Sequence, residues 1–231
     1  MAEALAPSFG LLTWAAEGTE GGRFHSRVLQ VPPGASGLTL GRGYDMKERT
    51  PTQIVRELTS SGLDATSAKL LSRASGLKGA GATAFIAEHD LKRFEISQEV
   101  QRALFGIVFA QQRAEVVRIS DKPDCRAKFG RVAFDALLPA ILDLFVDLKF
   151  RGDYTPGSRL LVQPLLVRND LPELAMKLRR RESWSAVPPD RFKRRNDYLA
   201  AALGNRRAAF ALRPQLHRRD AQGRFTAHEI G

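Results

Sequence analysis

The sequence predicts an α+β fold, mainly α-helical, with two lobes joined by a long helix and a small β-hairpin in the N-terminal lobe. Three observations lead there. Apolar residues recur at helical spacing over most of the chain after residue 50. One stretch, Ser36-Gly37-Leu38-Thr39-Leu40-Gly41-Arg42-Gly43-Tyr44-Asp45-Met46, has three glycines around a β-branched centre, the pattern of a sharply turning extended segment. From Ser97 to about Arg118, Val100, Leu104, Ile107 and Val108 share one side of a helix long enough to link two lobes. With 231 residues and 43% hydrophobic content, a full core can be buried. The chain is read as one domain, with an N-terminal lobe over about 8–96, the linking helix over 97–118, a helical C-terminal lobe over 119–204 and a basic tail over 205–231.

Taken in order, Ser8 is the expected N-cap of a helix from Phe9 to Glu17, with Phe9, Leu12 and Ala16 on its buried face. Gly18 supplies the left-handed residue that ends it. In Leu38-Thr39-Leu40, Thr39 faces away from both leucines. Thr50-Pro51 starts the next helix, with Pro51 at its first position and Ile54, Val55 and Leu58 inward. Short helices are expected over Thr66–Ala74 and Ala82–Arg93, with a glycine-rich connector, Gly76 to Gly81, between them. Asp121-Lys122-Pro123 closes the long helix. Phe129 to Phe150 reads as greasy helical material divided near Pro139, with Leu137, Ile141, Leu144, Phe145 and Leu148 in the core. Further helices follow from Ser158 to Val167, after the Asp170 cap, and from Arg191 to Leu203, the last closed by Gly204.

Charge and cysteine usage narrow the partner. A net charge of +11 and a pI near 10.4 suit an anionic polymer, either nucleic acid or a carboxylate-bearing cell wall. No recognisable nucleic-acid motif or basic-aromatic interleaving is present, which argues against nucleic acid. A lone Cys125 excludes an intramolecular disulfide framework. No cofactor or metal is expected, because His25 and His89 share no ligand spacing. No run is long and apolar enough to span a bilayer. The Met1-Ala2-Glu3-Ala4-Leu5 start has no basic region of a secretory signal. The expectation is synthesis in the cytoplasm; if the target lies outside it, in the periplasm or on the cell wall, holin-type lysis or a dedicated secretion machine has to deliver the protein. Nothing suggests more than a monomer.

Two acids and a hydroxyl carry the candidate chemistry. Glu17 stands at a helix end, where the negative pole of the helix favours a protonated carboxyl group. Thr39 and Asp45 project from the rigid hairpin. One acid that donates a proton and one that stays ionised is what glycoside hydrolysis requires. Glu20 is the rival acid, set lower because Gly21-Gly22 leave it on a loop. Each residue has a plainer reading: Asp45 as a cap, Thr39 as a strand residue, Trp184 as a core anchor, Cys125 as a buried thiol. Gly41-Arg42-Gly43 lacks the further residues of a phosphate-binding loop.

The spacing Glu17-Gly18 to Thr39-x-Gly41-x-Gly43 resembles the phage-type lysozymes of glycoside hydrolase family 24. It is closest to the pesticin-like branch, in which the catalytic aspartate follows the threonine in a Thr-Ile/Leu-Gly-x-Gly-x-Asp run. Residues 21 to 38 contain no acid at the earlier position used by ordinary phage lysozymes. Glu95-Ile96-Ser97-Gln98-Glu99 and Trp184-x4-Pro189-x-Arg191-x2-Arg194 are similar to the family's interdomain helix start and C-terminal signature. The resemblance implies a muramidase that cuts the β-1,4 bond between N-acetylmuramic acid and N-acetylglucosamine in bacterial peptidoglycan. It implies Glu17 as general acid, Asp45 as the stabiliser of the oxocarbenium ion that also activates water, and Thr39 as the residue orienting that water. Tyr44 and Arg191 are expected at the substrate, Arg191 beside Glu17, and inversion is the favoured outcome. An endolysin and a toxin effector with an immunity protein share this chemistry. The alternative is a non-enzymatic basic module that binds cell wall or nucleic acid.

Overall fold

Proline and glycine punctuation divides the chain into short helices around one hairpin. The structure is a computed structural model. It describes residues 6–205 apart from 23, 24 and 35, and the backbone of 206–211, 218–219 and 225–226. It is mostly helical with a small two-stranded antiparallel sheet. Helix α1 (Leu11–Ala16) is shorter than expected, because Gly10 rather than Ser8 is its N-cap. Gly10 takes φ 64° and has no room for a side chain, since a Cβ would stand 2.5 Å from the Phe109 ring. Phe9 therefore lies before the helix and is 44% exposed. Strands β1 (Thr39–Leu40) and β2 (Tyr44–Asp45) pair with Thr39 opposite Asp45 and Leu40 opposite Tyr44. His25, Val28, Gln30 and Gly37 each form an isolated bridge, Gln30 with Thr39.

Helix α2 (Pro51–Ser60) has a reciprocal capping box between Thr50 and Gln53. Asp64 caps α3 (Ala65–Ser72) through the amide of Ser67. Helix α4 (Gly79–Glu88) begins inside the expected glycine connector and stops before Asp90, whose left-handed backbone leads into a 3-10 turn at Leu91–Arg93. Ser97 caps α5 (Gln98–Ser120) through the amide of Val100. Gly130 to Leu138 forms no α-helix, only a 3-10 turn at Phe134–Ala136. Its place is taken by α6 (Pro123–Phe129), which Pro123 starts and Gly130 ends at φ 95°. Pro139 then opens α7 (Pro139–Arg151). Thr155 caps α8 (Pro156–Arg168), and Asp170 caps α9 (Leu171–Arg179). The last helix, α10 (Pro189–Ala211), runs through Gly204, which is not left-handed and so does not stop it. Beyond it, Arg218–Arg219 pairs with Phe225–Thr226. The rest of the expected basic tail lies outside the described residues.

Two main clusters of buried apolar residues hold these elements. The first joins Leu38, Leu40, Tyr44 and Met46 of the hairpin to Ile54, Leu58, Leu71 and Leu104. The second joins Val116 and Ile119 to Ile141, Phe145, Leu174 and Trp184. Helix α5 contributes to both, through Leu104 and Val108 at one end and Val116 and Ile119 at the other. Burying Leu38 and Leu40 contributes about 1.5–3 kcal/mol each, which fixes the hairpin's inner face and turns Thr39 and Asp45 the other way. No described helix is long and apolar enough to cross a membrane.

Candidate active site

The glycines of the hairpin have separate jobs. Gly41 and Gly43 adopt φ 62° and 88°, the left-handed backbone that lets two two-residue strands turn on each other. Gly43 also lies against Phe150, whose ring a Cβ would approach to 2.5 Å. Gly37 leaves space for the acid: a Cβ there would meet Asp45 Oδ1 at 2.7 Å and the Leu77 carbonyl at 2.7 Å. The Asp45 carboxylate accepts the Gly37 amide at 3.1 Å on Oδ2 and the Lys47 amide at 2.8 Å on Oδ1. Thr39 exchanges backbone hydrogen bonds with Gln30 at 2.8 and 2.9 Å, and its hydroxyl donates to the Gly37 carbonyl. Directly opposed residues have Cβ atoms about 4.5–5.5 Å apart, so Thr39 and Asp45 stand side by side on the strand face opposite the core.

Arg49 braces the hairpin from behind. It donates to the Asp45 carbonyl at 2.6 Å, to Glu57 at 3.0 Å and to Gln111 of α5 at 2.6 Å. Glu57 in turn accepts the Tyr44 hydroxyl at 3.0 Å. Burial, with the Glu57 charge adding to it, raises the Tyr44 pKa well above that of a free phenol.

Glu17 follows the last turn of α1 as its C-cap. Gly18 is not left-handed here. A side chain is excluded from it for another reason, because a Cβ would lie 2.7 Å from the Ser26 Cβ and 3.0 Å from Arg42 Cγ. The Glu17 side chain is 20% exposed and accepts a bond from Arg191 on α10. Arg191 also donates to Asp147 of α7 at 2.6 Å, and Arg195 donates to the same carboxylate at 2.7 Å. Arg195 further pairs with Asp153 at 2.7 Å, and Asp153 with Arg151. Three carboxylates and three guanidinium groups thus form one balanced chain of charge, with Asp147 0% exposed at its centre. Burial works against the charge on Arg191, but Asp147 and Glu17 outweigh it and raise the guanidinium pKa.

These residues meet at one cleft of about 640 Å³, lined by Glu17, Thr39, Asp45 and Arg191 together with Phe150 and Arg194. That volume is in the range of about 300–1,000 Å³ typical of small-ligand sites. The sequence family described as a domain of unknown function, DUF8812, matches residues 10–196. The chain belongs to the DUF8812 family. No curated protein matches it. The DUF8812 match takes in every residue of the cleft named above.

Within the DUF8812 domain, one expected site residue lies away from the cleft. Tyr44 is 0% exposed and packs in the core, because strand alternation puts it on the face opposite Asp45; it is not part of the cleft lining. Glu20 is outside the cleft lining and already committed, to Gln101 at 2.6 Å, Arg27 at 2.9 Å and Arg42 at 3.3 Å. Against the cost of burial, those bonds hold its carboxyl below the usual carboxylate range. Trp184 is buried and donates to the Lys177 carbonyl. Among the described residues no group of side chains is set to hold a metal. His25 bonds Glu95 and accepts the Gly21 amide, and burial raises the Cys125 thiol pKa. Sequence reading missed Arg42, Asp147 and Arg195. The only local signal was an aspartate at a helical core position in Leu144-Phe145-Val146-Asp147-Leu148.

Proposed function

We propose that this DUF8812 protein is a muramidase related to the phage-type lysozymes, closest to the pesticin-like branch, with two lobes on either side of the cleft. The observation that carries the reading is the single cleft lined by Glu17, Thr39, Asp45 and Arg191, residues that come from opposite ends of the chain. Glu17 protonates the leaving glycosidic oxygen. Asp45, held by two amides, stands against the developing oxocarbenium charge and draws a proton from the attacking water. Thr39, its cross-strand neighbour, orients that water. Arg191 holds the Glu17 side chain in place. The two clusters of buried apolar residues bridged by α5 support the two-lobe reading, and the excess of positive charge suits the carboxylates of peptidoglycan stems. Action on the wall implies delivery by lysis or secretion, as an endolysin or an effector.

Glu17→Gln and Asp45→Asn test the assignment. Each is expected to abolish clearing of purified sacculi while circular dichroism stays that of the wild type. Full activity in either variant removes that residue from its role. Proton NMR of fresh digests checks the stereochemistry, since inversion releases the α anomer first.

A further inference from the structure

Arg42 is absent from the chemistry above: it is not part of the cleft lining, and its side chain is 6% exposed. It sits at the hairpin tip between the two left-handed glycines and reaches across to α1. Its Nη1 donates to the Trp14 and Gly18 carbonyls, both at 2.5 Å. The guanidinium plane also lies over the Trp14 ring, 4.0 Å from its centroid. Trp14 and Gly18 bracket Glu17 in the chain.

A six-residue helix is too short to hold its own end, and the last four carbonyls of any helix lack intrahelical donors. In α1 the Thr13 carbonyl accepts the Glu17 amide, and the Trp14 and Ala15 carbonyls are taken by arginines from two sides. Arg42 comes from the hairpin, and Arg194 of α10 donates to the Ala15 carbonyl at 3.1 Å. Glu20 does not explain the placement of Arg42, because that carboxylate is also held by Arg27 and Gln101. The hairpin that carries Thr39 and Asp45 is therefore tied, through one buried guanidinium nitrogen, to the backbone on both sides of Glu17.

We propose that Arg42 is a positioning residue that sets the Glu17 carboxyl against Thr39 and Asp45 by fastening the end of α1 to the β-hairpin. The inference rests on the muramidase reading. A lysine keeps the charge but cannot lay a planar cation on an indole while one of its nitrogens bonds two carbonyls and a second faces Glu20.

The test compares wild type, Arg42→Lys, Arg42→Ala and Glu20→Gln on soluble, uncrosslinked peptidoglycan strands, with thermal midpoints measured for each. Arg42→Lys is expected to lower kcat about 10–100-fold with KM within about twofold, the signature of a misplaced catalytic group. Millimolar guanidinium, far below denaturing levels, is expected to restore part of the loss in Arg42→Ala. Glu20→Gln is expected to keep a kcat close to that of wild type. An Arg42→Lys kcat equal to wild type overturns the inference. So does a loss in Arg42→Lys that Glu20→Gln reproduces, or one in Arg42→Ala that guanidinium leaves unrepaired while the melting point falls. If wild type leaves the strands uncut, the muramidase reading falls and takes this one with it; activity in wild type matched by Arg42→Lys fells this one alone.

Discussion

Asp45 shows how much a single absent side chain can decide. Its carboxylate occupies the space that any Cβ at Gly37 would need, and the other neighbours there are Lys47 Cβ and a backbone carbonyl, which yield little. Gly37→Ala is therefore expected to push Asp45 off its two amide donors and lower kcat on sacculi about 10–100-fold, with helical content unchanged by circular dichroism. Glu20 gives a residue-scale prediction of a different sort. Its folded pKa lies below the ordinary 4.5, so its bonds stabilise the fold fully above that value. The contribution is lost as the pH falls through the folded value. Urea unfolding of wild type and Glu20→Gln is expected to differ most near neutral pH and to converge as the pH falls from 4.5 through the folded value. Much of this scale was legible in the sequence. The glycine pattern announced the hairpin, and the alternation of Leu38, Thr39 and Leu40 gave their facing. The same alternation, carried across the turn, assigns Tyr44 to the core. That step needs the register of Thr39 opposite Asp45, which a turn of two left-handed glycines sets and a linear motif does not state.

At the scale of elements, α7 and α10 are joined by charge in a place where apolar contact would be the usual means. Asp147 is fully buried and receives Arg191 and Arg195 from successive turns of α10. Removing one member of a buried pair leaves the others uncompensated, at a cost of about 3–5 kcal/mol. Asp147→Ala is expected to lose that much in chemical denaturation. Lys193→Ala on the same helix breaks only an exposed i,i+4 pair with Asp197 and is expected to stay within about 0.5 kcal/mol of wild type. Helix starts were readable where a cap or proline announced them, as at Thr50-Pro51, Ser97 and Asp170. Helix ends were less so. Gly204 looked like a stop and is not one, while Gly130 ended α6, a helix whose own apolar pattern is too short to stand out. The partners of Asp147 lie 44 and 48 residues away, beyond the reach of any periodicity.

For the whole molecule the governing quantity is its charge. A net +11 draws the protein toward any polyanion, and screening shortens that attraction to about 10 Å at 0.1 M salt. Co-sedimentation with sacculi is accordingly expected to weaken steadily as sodium chloride rises from low to high ionic strength, with kcat on soluble strands much less affected. Retention that does not respond to salt would assign wall binding to contacts inside the cleft. The pairing of Glu17 with Arg191, 174 residues along the chain, has a consequence for biosynthesis. Arg191 is added by the ribosome 174 residues after Glu17, so the nascent polypeptide carries the acid without its holder for that whole interval. The end of α1 therefore completes its contacts only once α10 has emerged, which makes this pairing a late step of folding on the ribosome.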